Sequence, residues 1–196
     1  MNLELANKGF ASGVRQDNFM ILPDRNHILT QQKKRKMMND HEVILRKTEI
    51  ADLEFFFIFQ LDDEANHLAA FTSKDPTDKT AYLQKYTKLL NDPTINMRTI
   101  LVDNSIVGSI SKFEIEGEAE ITYWIDRSFW GKGVGTTALK NFLTIEHTRP
   151  ILGRVAFDNF GSQKVLEKCG FVRIGRDQGF ANARQAEIEE FIYKLT

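Results

Sequence analysis

The segment Gly131-Lys132-Gly133-Val134-Gly135-Thr136 sets three glycines on alternate positions just ahead of a helix-forming stretch. Glycine has no Cβ and adopts positive φ at little cost, so successive N–H groups of such a loop can turn toward one anion. A helix starting there adds its unpaired first-turn N–H groups and the positive end of its dipole. The chemistry this suits is the binding of a phosphate or pyrophosphate. A Walker A loop does not fit, because the lysine falls between the first two glycines and not after the last. A dinucleotide fingerprint of the kind used by nicotinamide enzymes fits loosely as Gly133-x-Gly135-x-x-Ala138, but Gly153 stands where its acidic residue is expected. A tight turn that merely needs glycine is the third reading. Elsewhere, Asn159 and Ser162 stand three residues apart at a helix start and share one face, with Asn159 a good N-cap. Glu118 and Glu120 share one face of a strand, where a carboxylate could accept a proton.

The elements that must hold these residues follow from apolar patterning and chain breakers. Val43-Ile44-Leu45 reads as a strand, and Thr48 as the cap of a helix from Glu49 to Leu61. A loop Leu61 to Pro76 leads to a second helix, Asp78 to Leu90, which Pro93 prevents from continuing. Arg98 to Val102 and Ile106 to Ile115 form a hairpin about Asp103-Asn104-Ser105. Glu116-Gly117-Glu118 turns into a strand Glu120 to Ile125, after which come the glycine loop and a helix Thr136 to His147. Leu152 to Phe157 is a strand, Gly161 to Cys169 a helix stopped by Gly170, and Phe171 to Ile174 and Glu187 to Leu195 are closing strands. The order specifies a mixed α/β domain around one sheet. Phe55, Phe56, Phe57 and Phe59 are expected in its core.

Composition sets the outer limits. The 196 residues are 42% hydrophobic and 27% charged, typical of one globular domain. Residues 1–40 show no sustained period and are expected as a poorly ordered basic extension, with residues 41–196 as the folded domain. The run Lys33-Lys34-Arg35-Lys36 reads as solvated linker, and a net charge of −1 gives no field to draw the chain onto nucleic acid. No apolar run approaches the roughly 18 residues of a membrane span, and no signal-peptide layout is present, so a cytoplasmic location is expected. A single cysteine, Cys169, excludes an intrachain disulfide or a Cys-based zinc site; it reads as a small buried apolar residue, and no metal is expected. His67 and His147 read as surface residues.

Asp158-Asn159-Phe160-Gly161-Ser162 and the helix that runs on to Cys169-Gly170-Phe171, taken with Tyr123-Trp124-Ile125-Asp126 and Trp130 to Thr136, resemble the GNAT superfamily of acyl-CoA-dependent N-acyltransferases. The details are most similar to the branch that includes the RimJ/RimL ribosomal-protein N-terminal acetyltransferases. The resemblance covers about Val43 to Leu195 and rests on two signatures in the right order and at the right separation. It implies a single-domain GNAT fold, α/β (α+β), with a mixed, mostly antiparallel central sheet splayed at a bulge and flanked by helices. It implies acetyl-CoA as co-substrate. The main chain of Trp124 and Ile125 would hydrogen-bond the pantetheine arm, the N–H groups of Gly131, Lys132, Gly133, Val134, Gly135 and Thr136 would hold the pyrophosphate, and the Asn159 amide would contact the arm. Two departures stand out. Trp130 replaces the usual Arg or Gln, as is common in this branch, and Leu166 replaces the tyrosine that often protonates the leaving thiolate. Ser162 is then the candidate to hydrogen-bond the sulfur, and Glu120, with Glu118 second, the candidate base. The implied reaction is acetyl transfer to a primary amine, either a protein N-terminus or a small molecule, chosen by the first-helix region. No nucleic-acid or membrane partner is implied, and the protein would be a monomer or homodimer. The missing tyrosine leaves open a non-catalytic acyl-CoA-binding sensor of the same fold.

Overall fold

The computed structural model describes residues 42–196; the expected basic extension over residues 1–40 lies outside the described residues. Strand β1 (Val43–Lys47) leads through a 3-10 turn (Ile50–Asp52) into helices α1 (Leu53–Gln60), α2 (Asp63–Ala69) and α3 (Lys79–Leu90). A meander follows, of β2 (Asn96–Val102), β3 (Ser105–Ile115) and β4 (Glu118–Ile125). The chain then runs α4 (Val134–Leu143), β5 (Ile151–Ala156), α5 (Phe160–Lys168), β6 (Val172–Ala181) and β7 (Ala186–Leu195). The seven strands form one sheet in the order β1-β2-β3-β4-β5-β7-β6. Every neighbouring pair is antiparallel except β4 and β5, which run parallel.

That parallel seam is two residue pairs long, Ala119 with Ile151 and Glu120 with Leu152. Beyond Glu120 the strands part, and among the described residues no strand pairs with that edge of β4 from Ile121 to Ile125. The β3–β4 ladder itself runs without a register shift. The irregularity lies one strand over, between Ile100 and Leu101 of β2, where Ile100 faces Gly108 of β3. Gly108 in turn faces Ile125, and the two strands come so close there that the Trp124 carbonyl fills the place a Cβ would take.

The two faces of the sheet are covered differently. Ala119, Ile121 and Ile125 point into the main core with Val134, Ala138, Leu139 and Phe142 of α4 and Leu166 of α5. Burying each such large apolar side chain is worth about 1.5–3 kcal/mol relative to solvent. The opposite face carries α1 and α3, and Phe56 and Phe57 are buried there while Phe55 is exposed, so only part of the aromatic run is core.

Several expectations need correction. Thr48 caps no helix; it is buried, and its hydroxyl lies 3.1 Å from that of Thr99. The turn is instead closed by a capping box between Glu49 and Asp52. Asp52 is buried, and burial alone would raise its pKa. Hydrogen bonds from Arg46, the Glu49 N–H and Thr99 outweigh that and hold the carboxyl below its usual range. The span expected as a loop after Leu61 contains α2, capped by the Asp62 carboxylate on the Ala65 N–H at 2.9 Å. Helix α4 starts two residues early, inside the glycine loop, and stops at Leu143, not His147. Strand β6 continues well past Ile174 to Ala181 because β7 pairs with it from Gly175 onward, after a register shift that skips Ile174.

Candidate active site

Alternation along β4 sets what faces the opening. Asp126 donates its N–H to the Val107 carbonyl at 2.8 Å, and Trp124 pairs with Ser109, so the even-numbered residues spend their main-chain groups on β3. Tyr123 and Ile125 therefore present theirs to the side from which β5 has departed. Sequence reasoning names Trp124 and Ile125 for the main-chain contacts to the pantetheine arm; in the ladder the Trp124 groups face β3, and those of Tyr123 and Ile125 face the opening. The Ile125 carbonyl is already taken by the Trp130 indole N–H at 2.8 Å, which ties the glycine loop to the end of β4. That leaves the N–H and C=O of Tyr123 and the N–H of Ile125 as one short, open strand edge.

The side chains of Glu120, Thr122 and Trp124 stand on the other face of β4 and line a cavity of about 620 Å³, roofed by Phe56 and Phe59 of α1 and Tyr82 and Tyr86 of α3. Asn159 and Ser162 line it too, so of the expected site residues the structure brings together Glu120, Trp124, Asn159 and Ser162. Ile125 and the glycine loop lie outside its wall. Glu118 is exposed at the start of β4, opposite Ile115, and does not reach the cavity.

The glycine loop turns on Gly131 (φ 71°) and Gly133 (φ 82°), the latter being the N-cap of α4. No side chain caps that helix, whereas Asp62, Asp78 and Asn159 cap α2, α3 and α5. The first-turn N–H groups of Val134, Gly135 and Thr136 thus lack the side-chain acceptor that the starts of α2, α3 and α5 have, a lack shared with α1. Gly135 serves a packing purpose as well: a Cβ there would meet a Val165 methyl of α5 at 3.4 Å.

At the start of α5 the Asn159 side chain accepts from the Ser162 N–H at 3.0 Å and donates to the Leu68 carbonyl at 3.1 Å. It caps the helix and fastens it to α2. The Ser162 hydroxyl lies 2.6 Å from the phenol of the partly buried Tyr123, and desolvation pushes that phenol's pKa far above the ordinary tyrosine value. Glu120 accepts from Arg154 Nε at 3.0 Å, and the Arg154 guanidinium also holds Glu190 at 3.0 Å and Asp177 at 3.3 Å. Burial, together with the neighbouring Asp177 and Glu120 charges, raises the pKa of Glu190 despite Arg154. One cation is therefore shared by three carboxylates, of which Glu120 and Glu190 stand on the cavity wall and Asp177 lies outside it. Sequence reasoning passes over Tyr123, Arg154 and Glu190 as site residues. Tyr123 lies inside the segment that carries the resemblance, but Arg154 meets Glu120 and Glu190 across 34 and 36 residues with no local signal. Among the described residues no cluster of His, Cys, Asp and Glu suits a metal ion, and no helix is long and apolar enough to cross a membrane.

A mixed sheet opened at a two-pair parallel seam, with an uncapped helix start and a cavity beside the open edge, has the room and the main-chain groups to take an extended, phosphate-bearing ligand. The sequence profile of the acetyltransferase (GNAT) domain matches residues 42–172, and the chain belongs to that family. YdaF of Bacillus subtilis, assigned as a ribosomal N-acetyltransferase, is 36% identical over 84 residues, which cover 39% of this chain and 46% of YdaF. The matched segment thus spans less than half of that relative. The fold is shared with RimL, a ribosomal L7/L12 alpha-N-protein acetyltransferase solved with coenzyme A (TM-score 0.65, 20% identity, 78% of this chain and 93% of that one). It is shared equally with a spermidine N-acetyltransferase of Vibrio cholerae solved with CoA and spermine (TM-score 0.64, 23% identity, 78% and 95%).

Proposed function

We propose that the protein transfers the acetyl group of acetyl-CoA directly to a primary amine, either a protein N-terminus or a small molecule, in the cytoplasm. The observation that carries this reading is the free edge at Tyr123 and Ile125, which lies between the uncapped start of α4 and a cavity containing a carboxylate and a hydroxyl. A pantetheine arm carries amides that can complete a strand edge. The N–H groups of Gly131 to Thr136 would hold its pyrophosphate, and Asn159 Nδ2 retains a second proton for the arm. The neutral amine attacks the thioester carbonyl, the carbon–sulfur bond breaks, and the electron pair leaves on sulfur. Glu120 takes the amine proton, directly or through water. Ser162 donates a hydrogen bond to the departing sulfur. Holding amine and thioester together supplies much of the acceleration.

Release of free CoA thiol from acetyl-CoA, screened against peptides with different N-terminal residues and against polyamines, tests the reading and selects the acceptor class. Tight acetyl-CoA binding without thiol release from any amine would favour the sensor reading, which Leu166 in place of the usual tyrosine supports. The pyrophosphate assignment has its own test. Gly133→Val forces a β-branched residue to φ 82°, which costs at least about 1–2 kcal/mol and is relieved by rotating the loop N–H groups away from the anion. Acetyl-CoA affinity should fall about tenfold or more with an unchanged far-ultraviolet circular dichroism spectrum. Parent-like affinity would leave the loop as a turn only.

A further inference from the structure

Tyr123 is a partly buried phenol on the cavity lining to which the proposed chemistry gives no task. Its oxygen is 2.6 Å from Ser162 Oγ and 3.2 Å from the Ser162 carbonyl oxygen. A phenol has one proton to place between these two partners. Given to the carbonyl, it leaves the serine hydroxyl to donate back to the phenol, and nothing is directed into the cavity. Given to Oγ, it fills a serine lone pair and frees the serine proton to point toward the ligand. The Oγ contact is the shorter and has the distance of a well-formed O–H···O bond. The serine main chain is meanwhile fixed by the Asn159 cap. The phenol thus ties the start of α5 to a residue of β4 whose N–H and C=O face the opening.

We infer that Tyr123 is the positioning residue that aims the Ser162 proton at the thioester sulfur. The inference rests on the transferase reading above. Tyr123 does not act as the acid itself: its oxygen is 2.6 Å from Ser162 Oγ, so its proton is directed at the serine and not at the ligand. Burial, which raises the phenol's pKa, weakens it further as a proton donor. The proton balance of the reaction closes without it, since the amine supplies the proton that is finally released. Tyr123 instead removes the wasteful orientation of the Ser162 hydroxyl, and its side chain also packs on the main core.

The test is a double-mutant cycle of Tyr123→Phe, Ser162→Ala and the pair, with kcat, KM for acetyl-CoA and the thermal midpoint measured for each. Ser162→Ala should lower kcat about ten- to a thousandfold with KM for acetyl-CoA nearly unchanged. Tyr123→Phe should lower kcat by about tenfold or more, and the double variant should be no slower than Ser162→Ala alone. A double loss equal to the product of the single losses, or a wild-type kcat in Tyr123→Phe, overturns the inference. Replacing Tyr123 by 3-fluorotyrosine guards against a Phe variant that folds poorly, since the hydroxyl is kept and made more acidic. An unchanged kcat supports positioning; a kcat that rises would make the phenol the acid and overturn it. Failure of the unaltered protein to release CoA with any amine would instead remove the transferase reading beneath.

Discussion

Glu120→Gln is expected to slow acetyl transfer by about a hundredfold or more near neutral pH and by progressively less as the pH rises. The change keeps the side-chain shape and leaves one oxygen to accept from Arg154 Nε, whose charge is still met by Glu190 and Asp177. The fold should therefore survive with little loss. What is lost is a group able to take the amine proton. Below the pKa of the acceptor ammonium, the fraction of neutral amine rises about tenfold per pH unit. An enzyme without a base follows that fraction, whereas one with a base follows it less steeply, so the ratio of the two rates narrows upward in pH. Measuring kcat/KM for both proteins across the amine titration decides the point. A constant ratio would mean that Glu120 only anchors Arg154.

Gly108→Ala should be the most damaging of the small substitutions. Its Cβ would lie 2.0 Å from the Trp124 carbonyl oxygen and 3.1 Å from Ile125 Cα, and both are main chain of the neighbouring strand. No rotamer change relieves such a contact, so β3 and β4 must separate at the point where β4 bears its open edge. Overpacking of this kind costs about 1–3 kcal/mol or more, which at this size is a fall of about 2–12 °C in Tm. Acetyl-CoA affinity should fall with it, because Ile125 shifts. Calorimetry and titration of the variant check both. Parent-like melting would show that the ladder yields freely and that the close approach does not shape the site.

The sequence made some of this legible and some not. Asp78 and Asn159 are recognisable caps because an N-cap needs only its own side chain and the next turn. The glycine loop is recognisable because positive φ at Gly131 and Gly133 leaves few other choices of residue. Thr48 misleads because its partner, Thr99, is 51 residues away and supplied by tertiary packing. The competing Glu49–Asp52 box was present in the sequence and would have placed the turn correctly. Helix α2 is only seven residues long, too short to build an apolar period, although Asp62 ahead of Asp63-Glu64 marks its start. The choice of Tyr123 over Trp124 at the open edge depends on which residues hydrogen-bond β3, a phase that side-chain type does not encode. The carboxylates around Arg154 come together only when β4, β5, β6 and β7 are aligned.

The seam between β4 and β5 is also the place where the sheet is least cohesive, since two residue pairs join what are otherwise two ladders. On the proposed reading, the molecule that bridges this gap is the co-substrate, and it binds the folded chain alone. Folding and supply are then linked: acetyl-CoA at a hundred times its Kd adds about 2.7 kcal/mol to stability, a large share of what a domain of this size possesses. A cell rich in acetyl-CoA would hold the protein closed. As the pool is depleted that contribution would be lost, and openings along the seam would become more frequent.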